Sequence, residues 1–331
     1  MPISGEFSFI RSITPAQTFQ RSLIQGIGDD AAVYSGSDNY SEVVCLDTMA
    51  EGIHFTRKTM NPFDLGYKAL AVNISDLAAM GAEPAFYLVS AAISEDWTED
   101  DLQEMYKGMA ELGSRWQMDL IGGDTVASKS GLVLTVVVIG RVEKGKELLR
   151  STAKPGDIVF VTGTPGDSAA GLKLLLEEPG RVYSKAEQYF IERHRRPVPR
   201  IEAGRFLAGL QRVALNDVSD GVASEANELA EASGVRIDIS EMRLPASPQL
   251  EALPSNERIS SILFGGEDFE LIGTMSKIEW ESIHDDEKLK YALHEIGTVC
   301  EADGKPAVYL HTASGETELL GKKGYNHFKN G

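Results

Sequence analysis

The sequence predicts a mixed α/β (α+β) chain of two domains. Three observations carry that expectation. Apolar, β-rich runs alternate with helical patterns along the chain. The length, 331 residues, is enough for two domains or one large one. A polar, glycine-containing segment, EKGKELLRSTAKPGD at 143–157, follows the longest apolar run and marks a boundary, giving domains of 1–145 and 146–331.

Taken in order, strands are expected at SEVVCLD (41–47), FYLVSAAI (86–93), GLVLTVVVIGRV (131–142), DIVFVTG (157–163), VRIDI (235–239) and DFELIGT (268–274). Helices are expected to start near Pro62, Thr98, Asp167, Pro199 and Ser219. The helix over 62–80 is the most informative. Asn61 can cap it, Pro62 suits its first turn and Gly81 can end it. At about 100° per residue, Leu65, Ala69, Val72, Asp76 and Met80 share one face, while Leu70, Ile74 and Leu77 cover much of the other. The helix is therefore expected to be buried. Asp76 then sits on an apolar stripe, where a carboxylate must be protonated, paired or bound to a metal. In the helix over 98–113 the apolar residues read as core.

Composition narrows the class of partner. Hydrophobic residues make up 42% and charged residues 25%, as in ordinary soluble domains. No run of about 18 apolar residues is present to span a membrane. The opening MPISGEFSFIRSITP has neither the basic start nor the apolar core of a secretory signal. Cys45 and Cys300 lie far apart and read as packing residues. Together these predict a reduced, cytoplasmic protein. The formal net charge of -18 argues against nucleic-acid and anionic-membrane partners.

The acidic residues are placed unevenly. GIGDDAAV (26–33) sets two aspartates, the second being Asp30, where a phosphate-binding loop would bring small neutral residues. Asp47 is expected at a strand end, and Asp124 in the glycine turn of LIGGDTV. Asp217 and Asp220 lie in NDVSDG, and Glu267 and Asp268 in FGGEDFE. Each alone suits turn chemistry, because aspartate bonds nearby amides. Together with Asp76 they suggest convergence. Converging carboxylates repel unless cations lie between them, and oxygen donors without Cys or His spacing suit Mg²⁺, Ca²⁺ or Mn²⁺ rather than zinc. Magnesium held by a few carboxylates bridges substrate phosphates. The loop at 26–33 then holds a metal that in turn holds phosphate.

Other nucleotide and catalytic motifs fail. GIGDDA imitates GxGxxA, but no clear strand precedes it and its acids would face a pyrophosphate unscreened. GETELLGKKG has the wrong spacing for a P-loop and lacks its Ser/Thr. Neither the HRD and DFG pair nor a GxSxG elbow is found.

The segments GEFSFI, GIGDDAAV, DTMAEGIHF, GYKALAVNISDLAAMGAEP, LIGGDT, KPGDIVFVTGTPGDSAAGL, DVSDGVASEANELA, GGEDFEL and GYNHF run in one order from residue 5 to residue 328. In them the chain resembles the thiamine-monophosphate kinase family, of the superfamily that includes aminoimidazole ribonucleotide synthetase and selenophosphate synthetase. The resemblance implies the two-domain fold of that superfamily, with N-terminal sheets pairing into a barrel across a homodimer. It implies ATP- and Mg²⁺-dependent phosphorylation of thiamine monophosphate to thiamine diphosphate by direct in-line transfer, several Mg²⁺ ions being bound. By position, Asp30, Asp47, Asp76, Asp124, Asp217 and Asp220 match metal ligands. Tyr106, Gly123, Asp124, Arg150 and Ser219 match ATP contacts, and His54, Glu267 and Tyr325 match thiamine-binding positions. Arg150 could also place charge on the transferred phosphoryl group, or form a linker salt bridge. Where some relatives carry Ser or Thr before the Asp47 position, this chain has Cys45 and Leu46; the Thr48 hydroxyl is a substitute ligand. The alternatives are another ATP-dependent enzyme of the superfamily, or a metal- and nucleotide-binding module without catalysis. Against selenophosphate synthetase, the first cysteine lies inside an expected strand rather than near the N-terminus.

Overall fold

The apolar runs pair into two sheets, and one buried helix lies between them. The computed structural model describes residues 23–25, 29–36, 38–177 and 180–322. The first sheet holds β1 (Leu23–Gln25), β2 (Ala32–Ser35), β3 (Tyr40–Ala50), β4 (Glu83–Ile93), β5 (Asp119–Ala127) and β6 (Val133–Glu143), in the order β1-β2-β3-β6-β4-β5. Its pairs are antiparallel except β4 with β5. Side chains alternate across the sheet, as the strand period of two requires. Val43, Cys45 and Met49 of β3 and Leu134, Val136 and Val138 of β6 face the core. Leu46 and Thr48 take the opposite, open face.

Helix α1 (Pro62–Ala79) covers the core side of that sheet. Asn61 caps it by accepting from the Asp64 amide at 2.8 Å, and Pro62 occupies the first turn. Gly81, at φ +70°, ends it in the left-handed region. Its apolar sides meet both sheets. Leu65, Leu70, Ile74 and Leu77 share one core with Val136 and Val138 of the first sheet and with residues of the second. Helix α2 (Glu99–Arg115) packs beside α1, burying Met105, Met109 and Leu112 as its period predicted. Gly66 and Gly108 set how close the two helices come: a Cβ on Gly108 would stand 2.0 Å from the Phe63 carbonyl oxygen.

The second sheet holds β7 (Asp157–Thr162), β8 (Val213–Val218), β9 (Val235–Ser240), β10 (Glu270–Ser276), β11 (Leu293–Glu301), β12 (Ala307–His311) and β13 (Thr317–Leu320), in the order β13-β12-β9-β11-β7-β10-β8. Phe160, Leu215, Leu271 and Met275 join the core around α1. Val159, Val161, Ala214, Val218 and Ile272 face the other way, into a second core with Val222, Ala226 and Leu229. Burial on both sides explains why β7 and β10 read as continuous runs rather than alternating ones. Around them lie α3 (Asp167–Glu177), α4 (Lys185–Arg195), α5 (Ile201–Ala208), α6 (Val222–Ser233), α7 (Pro248–Glu251), α8 (Ser255–Phe264), α9 (Lys277–Ser282) and α10 (Asp285–Lys290). Among the described residues no helix is long and apolar enough to cross a membrane.

Several expected boundaries move, and some moves matter for the site. Strand β3 runs on to Ala50, so Asp47 lies inside it rather than at its end. LIGGDTV is strand β5 and not a turn, because its glycines fit close against β4: a Cβ on Gly123 would stand 1.9 Å from the Val89 carbonyl oxygen. Helix α6 starts at Val222, not near Ser219. Gly221 at φ +97° leaves Ser219 and Asp220 in a loop ahead of it. β8, the strand that presents Asp217, was not expected. Its polar Asn216 and Asp217 interrupt the apolar run.

Candidate functional site

Three segments far apart in sequence bring carboxylates to one point. Asp30 stands just before β2, Asp76 in the last turn of α1 and Asp217 near the end of β8. Each offers an oxygen, and these oxygens lie within 4.8 Å of one another. Helix α1 makes this possible by lying between the sheets, so that one of its turns reaches both. Ser75 strengthens the link, its hydroxyl donating to Asp217 Oδ2 at 2.8 Å.

Crowding raises the proton affinity of all three groups. Burial pushes the Asp76 carboxyl well up, and the charges of Asp47, Asp217 and Asp30 push it further. Burial also lifts Asp30 well above its ordinary range; Arg150 opposes this, while Asp217 and Asp29 add to it. Asp217 is pushed up to about 7, chiefly by burial, against the Ser75 hydrogen bond and Arg150. Such a cluster holds protons or a cation near neutral pH. One observation favours a cation: Asp30 Oδ2 is buried with no hydrogen-bond partner among the described residues. The donors are carboxylate oxygens, which suit a hard divalent ion.

Arg150 lies against this cluster. Its guanidinium bonds Asp30 Oδ1 through Nη2, and its Nε donates to Asn216 Oδ1 at 3.0 Å. Its backbone amide donates to Asp29 Oδ2 at 3.2 Å. Asn216 in turn donates to Glu225 Oε2 at 2.6 Å. Glu225, buried in the first turn of α6, also accepts from the Asp220 amide at 3.1 Å and the Ser219 hydroxyl at 3.3 Å. One carboxylate thus shapes the whole loop that carries Asp217, Ser219 and Asp220. Burial works against the Arg150 charge, but Asp30, Asp29 and Glu225 more than offset it.

The other expected residues fall into three groups. Asp47 shares the core side of β3 with Cys45 and Met49 and acts on both Asp76 and Asp217. Although its edge reaches solvent, the protein packed around it raises its own carboxyl. Asp220 likewise raises Asp217 and Glu225. Thr48 and Asp124 lie elsewhere. Pairing puts Thr48, Thr135, Ser90 and Asp124 in one row on the open face, with Thr48 Oγ1 2.8 Å from Thr135 Oγ1. Alternation along β3 turns Thr48 away from the side that carries Asp47. The Asp124 carboxylate accepts from the Thr125 amide at 2.9 Å. Gly123 sits beside it in β5, and Tyr106 lines a shallow groove on α2 with Leu102 and Ala110. No described contact joins these two to the cluster.

The thiamine-position residues are also dispersed. His54 follows β3 and accepts from the Ala50 amide at 3.0 Å through Nδ1. Glu267 takes φ +66° and its amide bonds the Ser219 carbonyl at 2.7 Å, which ties it to the loop after β8. Its carboxylate pairs with Lys68 Nζ at 3.1 Å. Tyr325 lies outside the described residues, as do Gly26 to Gly28 of the glycine loop. Cys45 packs as expected, its thiol 3.4 Å from the Asn73 carbonyl oxygen and pushed up by burial and by Asp76. Sequence reasoning missed Asp29, Lys68, Ser75, Asn216 and Glu225. The doubled aspartate of GIGDDAAV and the acid in the first turn after SDG were signals for two of them.

Known proteins resemble this chain along its length. Residues 28–142 match the family of AIR synthase related proteins in its N-terminal domain, and residues 154–304 match that family's C-terminal domain. Thiamine-monophosphate kinase of Bacillus subtilis (strain 168) is 53% identical over 326 residues, covering 98% of this chain and 99% of its own. Thiamine-monophosphate kinase of Escherichia coli (strain K12) is 38% identical over 332 residues, covering 98% of each. Among solved structures, AaThiL complexed with AMPPCP and TMP superposes with a TM-score of 0.83 at 32% identity, covering 98% of this chain and 97% of that one.

Proposed function

The chain belongs to the thiamine-monophosphate kinase family, and on that premise we propose that Asp30, Asp76 and Asp217 form the centre of its phosphoryl-transfer site. The reaction is the ATP-dependent phosphorylation of thiamine monophosphate to thiamine diphosphate. A phosphate oxygen of the acceptor bonds to the γ-phosphorus of ATP, the bond to the β,γ-bridging oxygen breaks, and ADP leaves with that electron pair. The attacking oxygen belongs to a phosphate monoester that is already ionised near neutral pH. No strong base is needed, and the task reduces to placement and charge neutralisation.

The residues suit that task. Magnesium, if held by these carboxylates, would supply positive charge against the phosphates of both substrates. Asp30, Asp76 and Asp217 would hold it, with Asp47 and Asp220 at the rim. Arg150 supplies a fixed positive charge beside them, and its bonds to Asp30 and Asn216 aim the guanidinium at the cluster. Ser219 lies in the same loop, its hydroxyl held on Glu225, and is assigned to the nucleotide. Glu267 offers a carboxylate to the cationic thiazolium ring, with His54 and Tyr325 assigned to the same substrate. For Thr48, Tyr106, Gly123 and Asp124 the family resemblance is the only support.

The observation that carries this reading is the convergence of three acids from separate segments within 4.8 Å. The test is a parallel assay with ATP, magnesium and either thiamine, thiamine monophosphate or an aminoimidazole precursor. Thiamine monophosphate alone should give thiamine diphosphate and ADP in equal amounts. Absence of thiamine diphosphate with magnesium in excess would overturn the assignment.

We also propose a homodimer built on the open face of the first sheet. Leu46, Phe86 and Val126 are exposed on that face, and Val137 and Ile139 lie half-buried between them. A broad apolar sheet face of that kind calls for a cover, and a second copy supplies a matching one. Light scattering should give twice the chain mass, and Leu46→Glu should lower it toward the single-chain value. A monomeric wild-type protein at micromolar concentration would end this proposal.

A further inference from the structure

A lysine is fully buried where α1, α4 and the loop before β10 meet. Lys68 has no solvent exposure, and its Nζ lies 3.1 Å from Glu267 Oε2 and 3.5 Å from His194 Nδ1. His194, on α4, is itself 1% exposed and also meets the Ser168 hydroxyl at 3.1 Å through Nδ1. An ammonium can only donate, so the network assigns Nδ1 of His194 as an acceptor and the ring proton to Nε2. The 3.5 Å approach of Nδ1 to Glu267 Oε2 then follows from both atoms gathering around Nζ. Burial works to strip the Lys68 charge, while the Glu267 carboxylate, and Asp268 beyond it, work to keep it. Burial and the charges of Lys68 and Arg195 hold His194 neutral.

The surroundings give this arrangement a direction. Glu267 sits at φ +66° between a glycine pair and Asp268, a backbone state that ordinary residues adopt only when held. Its side chain is 29% exposed, so it is pinned from behind and open in front. Lys68 is on the same helix as Asp76, two turns earlier. The helix that presents a carboxylate to the phosphate site therefore also fixes the carboxylate assigned to the substrate ring.

We propose that Lys68, backed by His194, is a positioning residue: it orients the ionised Glu267 toward the cationic ring of thiamine monophosphate and so sets selectivity for a charged ring. The inference rests on the assignment of Glu267 to that substrate. Lys68 does not touch the transferred group, so it affects binding of the acceptor rather than the chemical step.

Lys68→Met keeps the length of the side chain and removes the charge. It should raise the KM for thiamine monophosphate about tenfold, the usual weight of one charged hydrogen bond, with kcat and the KM for ATP little changed. Glu267→Gln should give a similar rise, and the double variant should be no worse than Glu267→Gln alone. An analogue of thiamine monophosphate with an uncharged ring should bind wild type and Lys68→Met equally. His194→Asn, a second variant in case the first does not fold, should move the same KM in the same direction. If Glu267→Gln raises this KM and Lys68→Met does not, or if Lys68→Met lowers kcat and weakens ATP to the same degree, the positioning role is wrong. If Glu267→Gln itself changes nothing, the substrate assignment of Glu267 fails first.

Discussion

Asp76→Asn should fold normally and lose at least about a hundredfold in kcat, because even the partners of metal ligands are worth up to that factor. Asp76 makes no salt bridge among the described residues, so nothing cationic is lost when its charge goes. Instead it is partly buried among Asp47, Asp217 and Asp30, which all push its proton affinity up. A neutral amide relieves that repulsion, and the melting temperature of the metal-free variant should equal or exceed that of wild type. An aspartate kept for structure would show the opposite pattern, a lower melting temperature with activity retained in the folded fraction. Full activity in Asp76→Asn would remove this residue from the phosphoryl-transfer site.

Asp76 also shows what could be read from the sequence. Its place on an apolar stripe of a helix capped by Asn61 and ended by Gly81 needed only the helical period and end chemistry, both local properties. Strands β3, β4, β6, β7, β9 and β10 were legible for the same reason, and so were the acids clustered near glycines. Strand β8 was not, because Asn216 and Asp217 break the apolar run in service of the site. Helix α4 was not, although Ser184 and Glu187 form a capping box at its start; its buried face is only Phe190, Ile191 and His194 among charged residues. Asp47 was placed at a strand end because polarity resumes there, whereas hydrogen bonding to β6 carries the strand on to Ala50.

Partnerships across long separations were the larger gap. Glu225 supports the Asp217 loop, and Lys68 meets Glu267 after nearly two hundred residues of chain. No period in the sequence encodes either contact. The motif GGEDFEL gave Glu267 as the residue of interest. The structure shows three acids of that motif with three jobs. Glu267 pairs with the buried Lys68 and stays partly exposed, Asp268 accepts from the Gly166 and Ser168 amides at 2.6 and 3.0 Å, and Glu270 goes into the core.

Glu270→Gln should cost about 3–5 kcal/mol of folding stability, the usual penalty for breaking a buried ion pair from one side. Glu270 has no solvent exposure, and both its oxygens are used. Oε1 accepts from Arg193 Nη2 at 2.7 Å and Arg200 Nη2 at 2.6 Å, while Oε2 accepts from Arg200 Nε at 2.6 Å and the Thr162 hydroxyl at 2.7 Å. Burial alone would raise the carboxyl, but Arg200 and Arg193 reverse that and hold it below its ordinary range. The pH dependence follows from that sign. The folded state holds its proton less tightly than the unfolded chain does, so the contribution is complete above the unfolded value of about 4.3 and is lost as pH falls through the lower folded one. Urea unfolding at pH 7 should therefore show a large gap between wild type and Glu270→Gln, and the gap should narrow as the pH is taken toward 3. The glutamine keeps the volume but leaves two arginines facing an amide that can accept through only one atom. A loss below about 1 kcal/mol would mean that Arg193 and Arg200 turn to solvent when released, and that the packing of β7, β8 and β10 stabilises this region without the ion pairs.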